Sequence, residues 1–146
     1  MGRLIQKDFV HVCHVGDVRC YVSSAGSLER ITEDHSVVGH LMEMGVLTTE
    51  KAQNYQDQGR PHCRPAAGTK PDLNSRQLAP GDRILVCSDG LWDALPEEGI
   101  AAVLASEGSM RQVTTVLVER AIAAGADHDI TSVVYEHEAN PAIHCE

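Results

Sequence analysis

The sequence has 146 residues, a formal net charge of −9 at pH 7 and an isoelectric point near 5.3. We expect residues 1–146 to form one domain, and the acidic balance argues against nucleic acid or an anionic membrane surface as a partner, because both attract clustered Lys and Arg. No apolar run reaches the roughly 20 residues of a membrane span, and the N-terminus is too polar for a signal peptide, so we expect a soluble, cytoplasmic protein. The five cysteines show no paired spacing, which is typical of reduced thiols.

Strands are predicted at the start of the chain. Residues 9–15 and 18–22 are β-prone, and we expect them to pair as an antiparallel hairpin that bends or bulges at Gly16 and Asp17. A further short strand is predicted over 27–32. Asp17 is either a simple turn residue or a third carboxylate of an acidic site.

Two histidines, His11 and His14, fall in the first of these strands. They are three residues apart in an extended segment and therefore point to opposite faces, which makes them a poor pair of metal ligands. We interpret both as structural or exposed.

Helical periodicity begins at Glu33. Predicted helices cover about 33–44, 50–53, 96–105 and 110–124. The last of these, capped by Ser109, has the clearest apolar stripe, which we expect to pack on a sheet. The stripe residues are Met110, Val113, Val116, Leu117 and Ala121. Residues 54–74 are predicted to be an irregular loop and 137–146 a flexible tail.

The apolar run from Arg83 to Cys87 is short enough for a strand that is buried on both faces. It leads into Asp89-Gly90, and Asp93 follows after one predicted helical turn. The two carboxylates could then face one ion, and hard oxygen donors of this kind suit Mg²⁺ or Mn²⁺ better than zinc. The alternative is an ordinary Asp-Gly turn that caps a helix.

A last strand is predicted over 130–135. If it pairs antiparallel with the strand that ends at Cys87, then Asp89 and either Asp127 or Asp129 share one edge of the sheet. Such a cluster of like charges is costly unless a cation neutralises it. A pair of divalent ions at this edge would activate water for attack on a phosphoryl or acyl centre.

Four motifs follow one another along the chain. They are Val15-Gly16-Asp17-Val18-Arg19-Cys20-Tyr21, Ile31-Thr32-Glu33-Asp34-His35-Ser36, Leu78-Ala79-Pro80-Gly81-Asp82-Arg83 leading into Cys87-Ser88-Asp89-Gly90-Leu91-Trp92-Asp93, and Asp129-Ile130-Thr131. From about Val10 to Tyr135, this order resembles the C-terminal half of a metal-dependent protein serine/threonine phosphatase of the type 2C family. The resemblance implies an α+β fold, part of an α-β-β-α sandwich with antiparallel sheets and packed helices. It also implies hydrolysis of phosphoserine and phosphothreonine by a metal-activated water.

The resemblance further implies roles for three carboxylates. Asp89 falls on the position of a ligand of the second catalytic metal. Asp17 and Asp93 fall on positions that help to hold a third, weaker metal in several members. The implied cofactor is Mg²⁺ or Mn²⁺.

The last motif departs from the family pattern. Family members usually have Asp-Asn-Ile-Thr where this chain has His128-Asp129 followed by Ile-Thr, so His128 replaces the expected metal aspartate. His128 could itself be a ligand, or Asp127 or Asp129 could compensate from either side. It could equally mark a weakened metal site.

The family's N-terminal motifs have no match in this sequence. They comprise a phosphate-holding arginine, a metal-binding acid and an Asp-Gly-His-Gly stretch that bridges both metals, whereas the only Asp-Gly here is Asp89-Gly90. We therefore expect the chain to be inactive or weakly active alone. We also expect it to self-associate or to bind a partner that supplies the missing half and covers open sheet edges.

Two other interpretations remain open. In the first, the chain is a non-catalytic, pseudophosphatase-like regulatory module that binds a phosphoprotein or another partner protein without turnover. In the second, it is an unrelated α+β domain whose acidic turns are only turns.

Overall fold

The computed structural model describes residues 2–6, 8–35 and 70–138. The elements in chain order are β1 (Gly2–Gln6), β2 (Phe9–His14), β3 (Arg19–Ser24), β4 (Ser27–Arg30), β5 (Asp72–Gln77), β6 (Arg83–Cys87), α1 (Asp89–Trp92), α2 (Glu97–Leu104), α3 (Met110–Ala123) and β7 (Ser132–Glu136). They form two antiparallel sheets, with strand orders β1–β2–β5 and β4–β3–β6–β7. The predicted α+β class with antiparallel sheets and packed helices is confirmed.

The first hydrophobic cluster lies between the two sheets. Val10 and Val12 of β2 pack with Cys20 and Val22 of β3 and with Ile84 of β6, and all five are buried. Alternation along each strand places these residues on the faces that meet. Burial of one such aliphatic side chain contributes about 1.5–3 kcal/mol, so this cluster holds the sheets face to face.

The second cluster lies between the four-stranded sheet and the helices. Tyr21 of β3 and Leu85 of β6 project to the side opposite the first cluster and pack with Leu91, Ile100 and Leu117 from the three helices. The strands β3 and β6 are therefore buried on both faces, as predicted for β6. The described residues thus build three layers, sheet on sheet on helices.

The predicted hairpin of residues 9–15 and 18–22 is wrong. β2 pairs with β1 and β5, whereas β3 pairs with β4 and β6 in the other sheet. Gly16 has a φ of +108°, a conformation that favours glycine, and there the chain leaves one sheet for the other. Alternating apolar residues do not reveal whether two strands meet edge to edge or face to face, and here they meet face to face.

The predicted antiparallel pairing of the central and last strands is confirmed. β6 and β7 are neighbours, and Cys87 is opposite Ser132. Beyond the strand ends, the Ser88 amide donates to the Thr131 carbonyl at 3.0 Å. The end of β6 therefore lies beside the start of β7.

The two predicted helices in the C-terminal part are confirmed as α2 and α3. Ser109 caps α3 through a reciprocal capping box with Gln112, and Gly125, at a φ of +90°, follows the helix. Of the predicted stripe, the fully buried members are Val113, Leu117 and Ala121. Val116 is 36% exposed, because it lies at the border of the face that meets the sheet. The helices predicted over 33–44 and 50–53 lie almost wholly outside the described residues.

Two stretches predicted to be irregular contain ordered residues in the short parts of them that the structure describes. β5 begins at Asp72, inside the stretch predicted to be a loop, and pairs with β2. His137, placed in the predicted tail, is 4% exposed. Its amide donates to the Asp82 carbonyl at 2.8 Å and its carbonyl accepts from the Gly81 amide at 2.7 Å. Residues 54–69 and 139–146 lie outside the described part.

Candidate functional site

Asp89 stands at the first residue of α1, directly after β6. Its Oδ1 accepts a hydrogen bond from the Gly90 amide at 2.9 Å, and the Leu91 amide donates to the Ser88 carbonyl at 3.1 Å. A carboxylate at a helix N-terminus is favourable because it faces the unpaired amides of the first turn. The half-buried Asp89 is therefore held where a buried strand of the sheet ends.

The segment around Asp129 packs tightly against this turn. The Ser88 hydroxyl donates to the Asp129 carbonyl at 2.9 Å and accepts from the Thr131 amide at 2.9 Å. A Cβ on Gly90 would lie 2.7 Å from the Asp129 carbonyl oxygen and 2.8 Å from that of His128, too close for any side chain. The predicted meeting of the two segments at one sheet edge is thus seen in the backbone.

The Asp17 loop is the third component of this edge. The Trp92 indole Nε1 donates to the Asp17 carbonyl at 3.0 Å, which ties the loop to α1. Asp93 follows at the C-terminal end of α1, where its amide donates to the Asp89 carbonyl at 2.9 Å and its side chain is exposed. Asp17, Asp89 and Asp93 therefore belong to segments that are connected to one another. We call these three residues, together with residues 127–129, the acidic edge.

Arg19 organises this region, although no role was predicted for it from the sequence. Its guanidinium donates three hydrogen bonds to the Asp34 carboxylate, at 2.7, 3.1 and 3.2 Å, and lies 3.6 Å from the centroid of the Trp92 ring. Burial lowers the pKa of Arg19, but the hydrogen bonds to Asp34 and Tyr21 outweigh it and leave the pKa above its ordinary value. Arg19 and Asp34 occur in two of the four motifs, and this joint occurrence was the signal available in the sequence.

The side chains at the acidic edge do not converge as strongly as the backbone does. His128 Nε2 lies 3.4 Å from Asp127 Oδ1, and Asp93, Asp127, His128 and Asp129 are exposed. No three of the six predicted ligands bring their ligand atoms within 4.8 Å of one another in the described part of the chain. Mg²⁺ commonly keeps several waters and binds through one or two carboxylates, so the oxygen donors here fit such an ion, and the ligand roles remain predictions.

A second group of potential ligands was missed. His14, His35 and Asp72 each bring one ligand atom within 4.8 Å of the others, and this is the one such group of three among residues 2–6, 8–35 and 70–138. His35 Nε2 lies 2.7 Å from Asp72 Oδ2, and the rings of His14 and His35 have centroids 4.9 Å apart. Burial and the neighbouring His35 lower the pKa of His14, which favours the neutral imidazole.

The prediction that His11 and His14 do not pair is consistent with this geometry. His11 Nδ1 lies 2.8 Å from Ser75 Oγ near the surface, whereas His14 is 0% exposed. The partner of His14 is His35, far along the chain. Spacing within one strand could not reveal it, because His35 follows β4 and meets His14 only in the folded chain, where the His35 amide donates to the Gly16 carbonyl.

Comparison with known proteins gives one consistent result. A putative protein phosphatase 2C-type of Streptococcus pyogenes is 29% identical over 128 residues, which are 86% of this chain and 52% of that protein. The serine/threonine protein phosphatase PstP of Mycobacterium tuberculosis is 34% identical over 127 residues, 83% of this chain and 24% of that protein. A solved structure of the PstP catalytic domain in complex with two manganese ions has a TM-score of 0.70 at 30% identity, covering 90% of this chain and 55% of that one.

The matches cover most of this chain but only part of each relative. The match takes in most of this chain, but the chain spans about half the length of the streptococcal relative and about a quarter of PstP. No protein-family model matches the sequence. The similarity therefore concerns only a part of each of these two relatives. None of the described helices is long and apolar enough to cross a membrane.

Proposed function

Since this chain matches the type 2C serine/threonine phosphatases in motif order and in fold over the part that it spans, we propose that it forms part of a metal-dependent phosphatase centre for phosphoserine and phosphothreonine. The observation that carries the proposal is the position of Asp89, directly after β6 and between Ser88 and Gly90, the two residues that lie against the backbone of residues 128 and 129. That arrangement holds a carboxylate at the rim of a rigid sheet.

The residues at the acidic edge have separable tasks. Asp89 would bind a divalent cation, Mg²⁺ or Mn²⁺, with Asp17 and Asp93 as further carboxylates on connected segments. Ser88 and Gly90 position that carboxylate, the first by joining two segments and the second by permitting their close approach. When bound, divalent ions supply positive charge to a phosphoryl group and activate water.

We propose that the 146-residue chain is inactive or weakly active alone. The sequence contains a single Asp-Gly, at Asp89-Gly90, so it offers no second acidic loop of the type that bridges two metals in the family it resembles. A second chain that carries the bridging acidic loop would then complete the centre, because self-association brings only another copy of the same residues. Sedimentation velocity tests this step, and a purely monomeric chain with full turnover would contradict it.

The proposed metal role is tested by titrating Mn²⁺ into the purified chain and into Asp89→Asn by calorimetry. We expect Asp89→Asn to lose measurable binding, because the substitution keeps the shape of the side chain and removes its charge. Glu98→Gln is the matched control, since it removes one exposed carboxylate from α2, outside the acidic edge. Equal Mn²⁺ affinity in the parent chain and in Asp89→Asn would show that Asp89 is not the ligand.

Turnover of a phosphothreonine peptide and of an aryl phosphate, on the same samples, separates the two functional candidates. Hydrolysis that requires Asp89 supports a phosphatase centre. The second candidate is a non-catalytic module that binds a phosphoprotein or a partner, and it is favoured by the exposed pair of His128 and Asp127 where the family has an aspartate. Mn²⁺ binding without turnover, whether or not the chain self-associates, would support the non-catalytic module.

A further inference from the structure

The group formed by His14, His35 and Asp72 lies outside the acidic edge and has no part in the proposed phosphatase centre. His14 ends β2 and Asp72 begins β5, both in the three-stranded sheet, whereas Asp89 follows a strand of the other sheet. We propose that His14, His35 and Asp72 form a binding site for a transition-metal dication, with Zn²⁺ as the ion that fits best. We call this group the histidine site.

The backbone fixes the three ligand positions before any ion binds. His14 and Asp72 are directly opposite each other in the register of β2 and β5. His35 is held at the same place because its amide donates to the Gly16 carbonyl at 2.8 Å, just after β2. Convergence of the three side chains therefore needs no further folding, which lowers the entropic cost of binding.

Burial gives the second, independent observation. His14 is 0% exposed, and neither of its ring nitrogens has a hydrogen-bond partner in the described part of the chain. The same holds for Nδ1 of His35. Buried polar atoms without partners are rare and cost stability. A metal ion bound by His14 would give its buried ring nitrogen a partner, which packing alone does not provide.

The donor set indicates the class of metal. Two imidazoles and one carboxylate suit Zn²⁺ and its first-row neighbours, whereas Mg²⁺ and Ca²⁺ prefer oxygen donors only. Asp34, the carboxylate beside His35 in the chain, is already engaged by Arg19 and does not compete. The side chain of Asp72 is 48% exposed and provides a path of entry, and three protein ligands leave a fourth position for water.

An ion bound here would replace the 2.7 Å contact between His35 and Asp72. Without an ion that contact is an ordinary hydrogen-bonded pair, with the His14 ring tilted at 58° to the ring of His35. The two interpretations predict different responses to metal, and the experiment is built on that difference.

Zn²⁺ alone is titrated by calorimetry into the full 146-residue chain after removal of metals with a chelator. Co²⁺ is then used as a spectroscopic substitute. We expect the titration to show one Zn²⁺ bound per chain at the histidine site. We expect bound Co²⁺ to show visible d–d absorption without a thiolate charge-transfer band. A thiolate band would overturn the proposal, because it would place the metal on cysteines elsewhere in the chain.

Substitutions locate the ion. Asp72→Asn and His35→Gln should each weaken Zn²⁺ binding by more than the roughly 10–100-fold that loss of an outer hydrogen-bond partner of a ligand costs. His11→Gln is the matched control, since it removes an imidazole from the same strand on the opposite face. Unchanged affinity in Asp72→Asn, or an equal loss in His11→Gln, would overturn the site.

Two further measurements keep the result decisive. His14→Gln alters a buried residue, so its fold is checked by circular dichroism, and if it does not fold, Asp72→Asn and His35→Gln alone decide. Asp89→Asn should bind Zn²⁺ as tightly as the parent chain does. Loss of Zn²⁺ binding in that variant would assign the ion to the acidic edge and overturn the histidine site.

Discussion

The acidic edge and the histidine site are built by opposite means. At the acidic edge the backbone converges, through the contacts of Ser88 and Gly90 with residues 128–131, while most of the candidate ligand side chains are exposed and spread. At the histidine site the side chains themselves converge, and His14 is completely buried. The first arrangement suits a hydrated, hard cation and the second a partly desolvated, nitrogen-binding one.

Arg19 connects the two regions. Its guanidinium binds Asp34, which precedes His35, and stacks on Trp92, which holds the Asp17 carbonyl. The loop at Gly16 and Asp17 touches both regions, since the Gly16 carbonyl accepts from His35. Differences between the regions can therefore be tested by changing one while monitoring the other.

The largest expected difference is in thiol reactivity, because each region has its own cysteine. Cys87 precedes the acidic edge, and burial raises the pKa of its thiol to about 12, whereas Cys13 beside His14 is exposed. A thiol with so high a pKa holds very little thiolate at pH 8, and its burial also keeps the reagent away, so Cys87 should alkylate far more slowly than Cys13. Mass spectrometry of labelled peptides over time measures both rates. Comparable rates would show that the acidic edge opens readily, and equal labelling in denaturant is the control.

The next largest effect is expected from Gly90→Ala. The new methyl group would overlap the carbonyl oxygens of Asp129 and His128, so the free energy of unfolding should fall by about 1–3 kcal/mol or more. Urea unfolding followed by circular dichroism measures the loss. Gly99→Ala is the control, because its added carbon would meet only Pro96 side-chain atoms at 3.7 Å and should stabilise α2 slightly. If the two variants had equal stability, the acidic edge would be far more plastic than its contacts indicate.

A smaller loss is expected from Arg19→Lys, which tests the connection between the regions. Lysine keeps the charge but cannot make the forked contact with Asp34 or stack flat on Trp92, so the free energy of unfolding should fall by about 1–2 kcal/mol. Urea unfolding monitored by Trp92 fluorescence gives the value. Arg76→Lys, in the exposed pair with Glu29, should change stability by less than about 0.5 kcal/mol. Equal effects would mean that the Arg19 network is no stronger than a surface ion pair.

The smallest effect is expected from Ser88→Ala. Its hydroxyl bridges the Asp129 carbonyl and the Thr131 amide, so its removal should cost about 1 kcal/mol and weaken Mn²⁺ binding while leaving Zn²⁺ binding unchanged. Calorimetric titration with Mn²⁺ measures binding at the acidic edge, and titration with Zn²⁺ measures binding at the histidine site. Ser27→Ala removes an exposed serine hydroxyl at the start of β4, which donates to the Ser24 carbonyl, and serves as the control. A parallel loss of Zn²⁺ affinity in Ser88→Ala would show that the two regions are not independent.

Sequence patterns identified those parts of the fold whose determinants are local. The strand Arg83–Cys87 and the capped helix Met110–Ala123 were predictable because apolar period and capping residues are contained in the segment itself. The antiparallel pairing of β6 with β7 was predicted from the order of the strands, and with it the backbone approach of Ser88 and Gly90 to residues 128–131. The resemblance to the type 2C phosphatases is confirmed by the relatives and by the fold.

What the patterns missed depends on the path of the chain between sheets. At Gly16 the chain leaves the sheet of β2 and enters the sheet of β3. The alternation of apolar residues along the two strands does not distinguish this arrangement from a hairpin. The histidine site was missed for the same reason, since His14 meets Asp72 only after β2 and β5 have paired. The strand at Asp72 was also hidden by polar residues, because much of β5 is exposed.

The pairing of β2 with β5 also has a consequence for how the protein folds. His14 and Asp72 are opposite each other although most of the first half of the chain separates them, and Tyr21 of β3 is likewise opposite Leu85 of β6. Non-local pairings of this kind are slow to form, because the intervening loop must close before any contact compensates for the lost entropy. Both regions should therefore assemble late in refolding. The sole tryptophan, packed beneath Arg19, provides a fluorescence signal for that final step.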